Sequence, residues 1–335
     1  MKMTFQKLVI GASMAIGVSA LATAPAHATS FDFNNTGEIN TYTGGSNGSF
    51  INGNAQGGTN AAIKALTDND PTSNVELWYS SETPGSNVGF TATQGKYSAS
   101  VSSVTANDWN SFGSQWLGDL LNTYTPFKSV WSGFSDSTKL LVTNSFPSLG
   151  IGDPNIGSFQ FGQNGGVELT LVGHLDVKTK LSATVNNNLT LGWNGVGSTP
   201  GVKSLFPGKT LESVTASDVD KVLLLPSLSL STKQKLSSFK DLLTFRATLN
   251  VFQGGIGASE IAKVVTGGKT YYAYSFNPTV SGITASDDRS SYNAYYTWNT
   301  PGYTPTPVPE SSVMLGLLGV AGVFVTQRKL KKASI

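Results

Sequence analysis

The amino-acid sequence predicts a mainly β fold, an antiparallel two-layer sandwich of the jelly-roll kind with one or two short packed helices. Apolar and polar residues alternate along several stretches, as they do in strands with one buried face. Clusters of glycine and asparagine separate these stretches. Charged residues make up only 13% of the chain, against a usual share of about 25%, and Ser, Thr and Asn take their place. An α+β fold is the alternative.

The first part of the domain predicts short strands joined by loops. Residues 29–60 are rich in Asn and Gly, which indicates a poorly ordered start, and residues 61–66 add one helical turn. Residues 75–79 predict a strand, and residues 89–104 predict a hairpin that turns at Gln94-Gly95.

A strong helix signal follows. Asn107-Asp108 offer an N-cap, and Pro126 ends the pattern. The apolar residues between these points fall at helical spacing: Trp109, Phe112, Trp116, Leu117, Leu120 and Leu121. We expect this amphipathic helix to run to about Tyr124 and to pack on a sheet, and contact with a membrane or a glycan is the alternative.

The clearest predicted strand covers residues 166–181, where the apolar residues all have odd numbers: Val167, Leu169, Leu171, Leu175, Val177 and Leu181. Residues 186–188, all Asn, predict its turn, and residues 189–193 predict the returning strand. A long hairpin of this kind favours a sandwich. Residues 245–251 repeat the period of two.

Two further elements complete the predicted domain. Thr232 offers an N-cap for a helix through Leu243. Residues 261–266 and 269–276 form the clearest hairpin, closed by Gly267-Gly268, because glycine adopts the positive φ of a tight turn without strain.

Aromatic residues cluster on the last predicted strands, next to Asn and Asp. Planar rings beside amide groups suit stacking against a sugar ring, so these residues are candidates for glycan binding: Tyr271, Tyr272, Tyr274, Tyr295, Tyr296 and Trp298. Aromatic residues are also ordinary strand formers. Packing in the core or across strands is therefore the alternative, and residue statistics favour it.

The sequence offers no catalytic, cofactor or metal motif, and we expect a non-enzymatic protein without a cofactor. His174 is the sole histidine once a signal peptide is removed, which excludes metal sites built on two histidines. No spacing selects a pair among the carboxylates that hydrolysis of a glycoside would need, Glu76, Glu82, Asp153 and Glu168. Residues 68–70 resemble the start of a calcium loop, but Pro71 follows, and a capped turn is the expectation.

The N-terminus has the pattern of a secretory signal peptide. Lys2 and Lys7 precede an apolar run over residues 8–21, and Ala26 and Ala28 supply the small residues of a cleavage site. We expect cleavage after Ala28 by signal peptidase following Sec export, so that residues 1–28 are removed.

The C-terminus has three parts in a fixed order. A Pro-rich spacer over residues 304–312 contains Val308-Pro309-Glu310. An apolar segment over residues 313–327 follows, rich in small and aliphatic residues: Val313, Leu315, Gly316, Leu317, Leu318, Gly319, Gly322 and Phe324. Its apolar core of about 13 residues would give a helix of about 20 Å, short for a hydrocarbon core of about 30 Å. Residues 328–335 carry a basic cluster that would stay in the cytoplasm: Arg328, Lys329, Lys331 and Lys332.

This layout resembles the PEP-CTERM sorting signal of Gram-negative bacteria, in which a Pro-Glu-Pro motif, a short membrane helix and a basic cluster are read by an exosortase. Ser311 stands where that family has its second proline. The resemblance implies an exported protein, anchored by one C-terminal helix and then released to the cell surface or matrix, with a link to exopolysaccharide or biofilm. A plain tail anchor without processing is the alternative.

The charge distribution agrees with an exported domain over residues 29–303. Six of the 22 Lys and Arg lie in residues 1–28 and 328–335, whereas all 20 Asp and Glu, including Glu310 of the spacer, lie in residues 29–312, which gives that stretch a formal charge of −4. A mildly acidic domain without basic clusters does not suit nucleic acid. We therefore expect a cell-envelope or extracellular-matrix protein. A carbohydrate-binding module and a secreted glycosidase or esterase are the alternatives.

Overall fold

The structure is a computed structural model, and it describes residues 28–44, 50–52, 58–70, 73–81, 83–145, 152–173, 175–198, 203–280 and 294–305. The described strands are β1 Ser30–Phe33, β2 Ile39–Gly44, β3 Phe50–Asn52, β4 Asn74–Leu77, β5 Gly89–Gln94, β6 Tyr97–Ser102, β7 Asn155–Phe161, β8 Val167–Val172, β9 Leu175–Asp176, β10 Gly257–Ala258, β11 Ala262–Thr266, β12 Lys269–Ala273, β13 Thr279–Val280 and β14 Ala294–Asn299. The described helices are α1 Gly58–Thr67, α2 Ala106–Thr123, α3 Phe127–Gly133, α4 Asp136–Asn144, α5 Val177–Ser198, α6 Ala216–Leu223 and α7 Leu230–Val251.

The strands form two large antiparallel sheets and one small one. The five-stranded sheet has the order β1-β5-β6-β11-β12, and the seven-stranded sheet has the order β13-β14-β8-β7-β4-β2-β3. Strands β9 and β10 pair as a separate ribbon. Neighbours in sequence pair within one sheet, as in β5–β6, β7–β8 and β11–β12. Other neighbours are distant in sequence, as in β1–β5, β6–β11 and β8–β14, so the chain leaves each sheet and returns to it.

The two large sheets pack face to face, which confirms the predicted two-layer sandwich. Phe159 of the seven-stranded sheet makes edge-to-face contacts with Phe31 and Phe90 of the five-stranded sheet, with ring centroids 5.8 and 5.5 Å apart. Helix α1 adds Ala62, Ala65 and Leu66 to the same core. Alternate residues of the strands supply the rest, since successive side chains point to opposite faces.

A second core lies among helices α2 to α7. It is built from large side chains, including Trp109 and Trp116 of α2 and Phe239 and Phe245 of α7, all at most 2% exposed. Helices α5 and α7 pack along each other, and α6 packs on α7. We call this region the helical bundle. The prediction of one or two short helices was wrong, and the α+β alternative describes the molecule.

The predicted long hairpin at residues 166–193 was wrong in its second half. Strand β8 ends at Val172, and helix α5 covers the residues assigned to the end of the strand, to the Asn turn and to the returning strand. Four residues of α5, each four positions apart, are fully buried: Val177, Leu181, Val185 and Leu189. This is the spacing of a helix face, and packing of that face outweighs the low helix propensity of Asn and Thr.

The strand predicted at residues 245–251 is also helical, because α7 continues to Val251. Phe245 and Leu249 are buried, while Val251 is 71% exposed. An alternating strand would have buried all three. Helix α7 begins one turn before the predicted cap, since the Ser229 side chain accepts a hydrogen bond from the Thr232 backbone N–H.

The two glycine-closed hairpins are confirmed. Gly95 closes β5–β6, and Gly267 and Gly268, with φ of 57° and 73°, close β11–β12. Helix α2 is confirmed and ends before Pro126, but its N-cap is Thr105. The Thr105 side chain accepts from the Asp108 N–H at 3.2 Å while Asp108 accepts from the Thr105 N–H at 3.0 Å, a reciprocal capping box. Thr215 and Asp218 repeat this arrangement at α6.

The described residues up to Gly302 form one compact unit, and Tyr303 begins a second unit, of which residues 303–305 are described. Within the described ranges, no helix is both long and apolar enough to cross a membrane. The predicted signal peptide before Ala28, the motif at residues 308–310, the apolar segment and the basic cluster all lie outside the described residues.

Candidate functional site

An open cleft of about 500 Å³ lies where helix α2 meets the edge strand β12 and strands β13 and β14. We call it the aromatic cleft. Its lining comprises Phe112, Gln115, Asp119, Thr270, Tyr271, Tyr272, Tyr274, Ser275, Asn277, Thr279, Thr297, Trp298, Asn299 and Pro301. Four of the six residues predicted for glycan stacking are therefore brought together here.

One wall of the cleft is held rigidly against helix α2. The Tyr272 ring stacks on Phe112 with centroids 3.7 Å apart and ring planes 15° from parallel. Its hydroxyl lies 3.1 Å from Ser111 Oγ. One face of the Tyr272 ring is thus occupied by protein, and the ring serves as a fixed wall.

Tyr274 is fixed in a similar way about two turns further along α2. Its hydroxyl donates to Asp119 Oδ2 at 2.8 Å, and its ring packs edge-on against Trp116. Burial raises the pKa of the Tyr274 hydroxyl, and the bond to the Asp119 carboxylate raises it further. Tyr274 therefore stays a neutral hydrogen-bond donor throughout the physiological range.

Tyr271 and Trp298 form a second aromatic pair in the lining, with Tyr271 on the other face of β12 from Tyr272. Their rings meet edge to face with centroids 6.4 Å apart, and both side chains are partly exposed. The described residues provide no hydrogen-bond acceptor for the Trp298 indole N–H. A half-exposed indole with an open N–H offers a ligand both an apolar face and a donor.

The remaining lining is polar but almost uncharged. Amides come from Gln115, Asn277 and Asn299, and hydroxyls come from Thr270, Thr279 and Thr297. Among the described lining residues, Asp119 is the single carboxylate, and no lysine, arginine or histidine is present.

Two of the predicted stacking residues do not belong to the cleft. Tyr296 is fully buried in the sandwich core, so its prediction as a glycan-stacking residue was wrong. Tyr295 does not line the cleft either, although Thr297 and Asn299 on the same face of β14 do. The cleft thus includes only the C-terminal half of β14.

Phe112, Gln115 and Asp119 were missed at the level of sequence. Their spacing of three and four residues places them on one face of α2. That regularity could have marked a common surface, but nothing in the sequence indicated that the surface faces β12.

A second, smaller cleft of about 320 Å³ lies on the five-stranded sheet next to a charged network. Lys263 Nζ contacts Asp108 Oδ1 at 2.6 Å and Asn87 Oδ1 at 3.2 Å. Asn87 also donates to Asp108 Oδ2 at 2.7 Å. Burial alone would raise the pKa of Asp108, but the hydrogen bonds from Lys263, Asn87 and Thr105 lower it below its usual value. Lys263 and Asp108 satisfy each other and join β11 to α2.

Glu76 and Asp153, two of the carboxylates considered for hydrolysis, lie near a third acid that the sequence did not single out. Glu260 accepts a hydrogen bond from the Asn155 backbone N–H at 3.1 Å. Loss of water raises the pKa of Glu260 well above its usual value, and the charges of Asp153 and Glu76 raise it further. None of the three acids lines either cleft.

The other residues considered for chemistry are distributed separately. Glu168 of β8 accepts a hydrogen bond from Gln160 of β7. The capped turn at residues 68–70 is confirmed, since Asp68 Oδ1 accepts from the Asp70 N–H at 2.9 Å. His174 and Glu82 lie outside the described residues. In the part of the chain that the structure describes, no group of three or more His, Cys, Asp or Glu side chains is arranged to hold a metal ion.

Comparison of the chain with protein-family models, with curated proteins and with solved structures finds no match.

Proposed function

We propose that this chain is an exported, non-enzymatic protein of the cell envelope or extracellular matrix, and that its aromatic cleft binds an extracellular polysaccharide. The observation that carries the proposal is one cleft that contains the Tyr271–Trp298 pair and the fixed ring of Tyr272 together with amides and hydroxyls. Sugar rings have apolar faces and a rim of hydroxyl groups. A cleft with aromatic walls and an uncharged polar rim complements both.

The carboxylate arrangement favours binding over hydrolysis. Glycoside hydrolysis requires two carboxyl groups on either side of the scissile bond. The described lining of the cleft has one, Asp119, which is already engaged by Tyr274. The acids near Glu260 lie away from the cleft.

The charge of the cleft selects a class of glycan. An acidic polysaccharide would bring its carboxylates towards Asp119 without a cation to balance them. Neutral or N-acetylated sugars avoid that penalty, and their hydroxyls and amides can pair with Gln115, Asn277 and Asn299. We therefore expect a neutral polysaccharide as the ligand.

Binding to an array of neutral and acidic oligosaccharides tests this proposal. For the strongest neutral glycan, Trp298→Ala should weaken binding by about tenfold or more, which corresponds to about 1.4 kcal/mol. Tyr295→Ala is the matched control, because it removes a neighbouring ring on β14 that does not line the cleft.

Two results would contradict the proposal. If no neutral glycan binds, the cleft has another role. If Tyr295→Ala and Trp298→Ala weaken binding equally while both variants remain folded, the ligand binds elsewhere on the protein.

Export and sorting form a separate part of the proposal, supported by the sequence of the two ends. Signal peptidase and the Sec machinery would act at the N-terminus, and an exosortase-like enzyme would act near Val308-Pro309-Glu310. The intact mass of the protein from the envelope and medium of its host tests this. A chain from Thr29 to residues 309–312 would support sorting, whereas retention of residues 328–332 would indicate a plain membrane anchor.

A further inference from the structure

The turn between helices α6 and α7 presents leucines to solvent. Residues 223–230 read Leu-Leu-Leu-Pro-Ser-Leu-Ser-Leu. Leu223, Leu225 and Leu228 are partly buried and pack against the core of the helical bundle. Leu224 and Leu230 do not, and they are 82% and 74% exposed. We call these two residues and the turn between them the leucine tip.

Leu191 in α5 and Val251 at the end of α7 are exposed to a similar degree, but they are distant from each other in sequence, whereas Leu224 and Leu230 share one turn. Isolated exposed leucines are ordinary. Here two leucines stand at the same end of the antiparallel pair α6 and α7, with the exposed Pro226 between them. The turn therefore presents apolar surface at the end of a helix pair.

Lysines surround the leucine tip. Lys221 precedes it in α6, and Lys233 and Lys235 follow it in the first turns of α7. Lys221 and Lys235 are exposed and Lys233 is partly exposed, and none of the three forms an ion pair with a described residue.

The nearby carboxylates do not cancel this positive charge. Asp218 pairs with Lys209 at 2.9 Å, and Asp220 pairs with Lys240 at 2.6 Å. The three lysines at the tip are thus left as uncompensated cations next to apolar side chains.

We propose that the leucine tip inserts into the interfacial region of an anionic lipid bilayer, with Leu224 and Leu230 among the acyl chains and the three lysines at the headgroups. Apolar side chains flanked in sequence by cations match the combination of hydrocarbon and negative charge at such a surface. A protein partner would need a complementary apolar groove with acidic margins. The charge argument favours the lipid surface because every anionic bilayer supplies that combination.

The absence of cysteine from the chain allows a clean test with single labels on the full-length protein. Leu224→Cys is labelled with a polarity-sensitive fluorophore and mixed with vesicles of phosphatidylethanolamine and phosphatidylglycerol at 3:1. Leu191→Cys is the control, because Leu191 is 69% exposed on α5 of the same bundle. Any binding through the C-terminal tail affects both proteins equally.

We expect a blue shift of the label at residue 224 and none at residue 191. In the Leu224→Cys background, replacing the three lysines by Gln should raise the lipid concentration for half-maximal shift by at least about tenfold, because each lysine near an anionic surface contributes substantially.

Three results would overturn the proposal. Equal shifts at residues 224 and 191 would mean general association or unfolding on the vesicle. Equal shifts with vesicles of pure phosphatidylcholine would mean that binding does not require an anionic bilayer. A shift at residue 224 without vesicles that grows with protein concentration would assign the tip to a second copy of the chain.

Discussion

The sandwich and the helical bundle fill their cores differently. The five-stranded sheet turns small residues inward, Ala92, Ala99, Ala262 and Ala273 among them, and a few phenylalanines from both sheets fill the space above them. The bundle distributes large aliphatic and aromatic side chains over six helices. The sandwich core therefore combines alanines with aliphatic side chains such as Leu77 and Leu169 and a few aromatic contacts, whereas aromatic side chains are more numerous in the bundle core.

Helix α2 joins the two regions along its length. Asp108 pairs with Lys263, Phe112 stacks on Tyr272, and Asp119 accepts from Tyr274. The N-terminus of α2 is thus attached to β11, its middle to β12, and its C-terminal half to the chain just after β12. We infer that the two cores unfold together despite their different construction.

The largest expected effects come from removing one aromatic residue in each core. Trp116→Ala in the bundle and Phe159→Ala in the sandwich should each lower the free energy of unfolding by about 3–5 kcal/mol, through lost burial and the cavity left behind. Trp116 is 0% exposed and Phe159 is 4% exposed. Urea unfolding followed by far- and near-UV circular dichroism should give coincident transitions for both variants. Separate transitions would show that α2 does not couple the cores.

The contact between α2 and β11, which we call the junction, should have the next largest effect on the free energy of unfolding. Asp108→Asn weakens the bond to Lys263 and the capping of α2, and we expect a loss of about 2–3 kcal/mol at pH 7. Since folding lowers the pKa of Asp108, its contribution is present above the unfolded value near 3.8 and disappears as pH falls through the folded pKa. The difference between the variant and the parent should therefore shrink as pH falls below that unfolded value.

Asp220→Asn is the matched control for the junction. Asp220 forms a 2.6 Å ion pair with Lys240, but its side chain is 51% exposed. We expect a change of less than about 0.5 kcal/mol. Equal effects of the two substitutions would mean that Asp108 acts as an ordinary surface charge.

The ionisation of Glu260 should change the stability with pH in the opposite direction from that of Asp108. Folding raises its pKa, so the folded protein holds a proton that the unfolded chain loses above the usual value near 4.5. Stability then falls as pH rises from that value through the folded pKa. Glu260→Gln mimics the protonated acid and should raise the free energy of unfolding at pH 8, with little change at pH 4.

Chemical denaturation at the two pH values measures the Glu260 effect, and Glu168→Gln on the exposed side of β8 is the control. A loss of stability in Glu260→Gln at pH 8 would mean that the ionised carboxylate makes favourable contacts.

The smallest effects compare two capping boxes of the same design. Thr105→Ala and Thr215→Ala each remove the side chain that accepts from the third helical N–H, a loss of about 0.5–2 kcal/mol. Thr105 stands at the junction, where Asp108 also binds Lys263, and Thr215 is exposed. Thermal unfolding should therefore show the larger decrease for Thr105→Ala. An equal or larger decrease for Thr215→Ala would contradict the special position of the first box.

The strands were predictable because turn residues delimit them. Gly95 and Gly267-Gly268 fix two hairpins, and alternation over a few residues assigns each face. In α5, by contrast, the buried residues are four positions apart, and four is a multiple of two. The same spacing fits a strand and a helix face, so the pattern alone could not separate them. The decisive contacts, between α5 and α7, are tertiary.

The aromatic cleft was half predictable for a similar reason. The rings of Tyr271, Tyr272, Tyr274 and Trp298 were visible in the sequence. Their contacts with Phe112 and Asp119 depend on where α2 packs. Asp119 and Tyr274, which share a hydrogen bond, are 155 residues apart in sequence. Local patterns carry no information about contacts of that range.

The order of strands in the five-stranded sheet has a consequence for the growing chain. Thr266 Oγ1 donates to the Ser98 carbonyl, 168 residues earlier. At synthesis rates of about 5–20 residues per second, β6 waits roughly 10–30 s for its partner β11. During that interval, one edge of β6 has unpaired backbone groups that another chain could pair with. The five-stranded sheet can therefore form only when the intervening chain, which includes all of helices α2 to α7, is also available to fold.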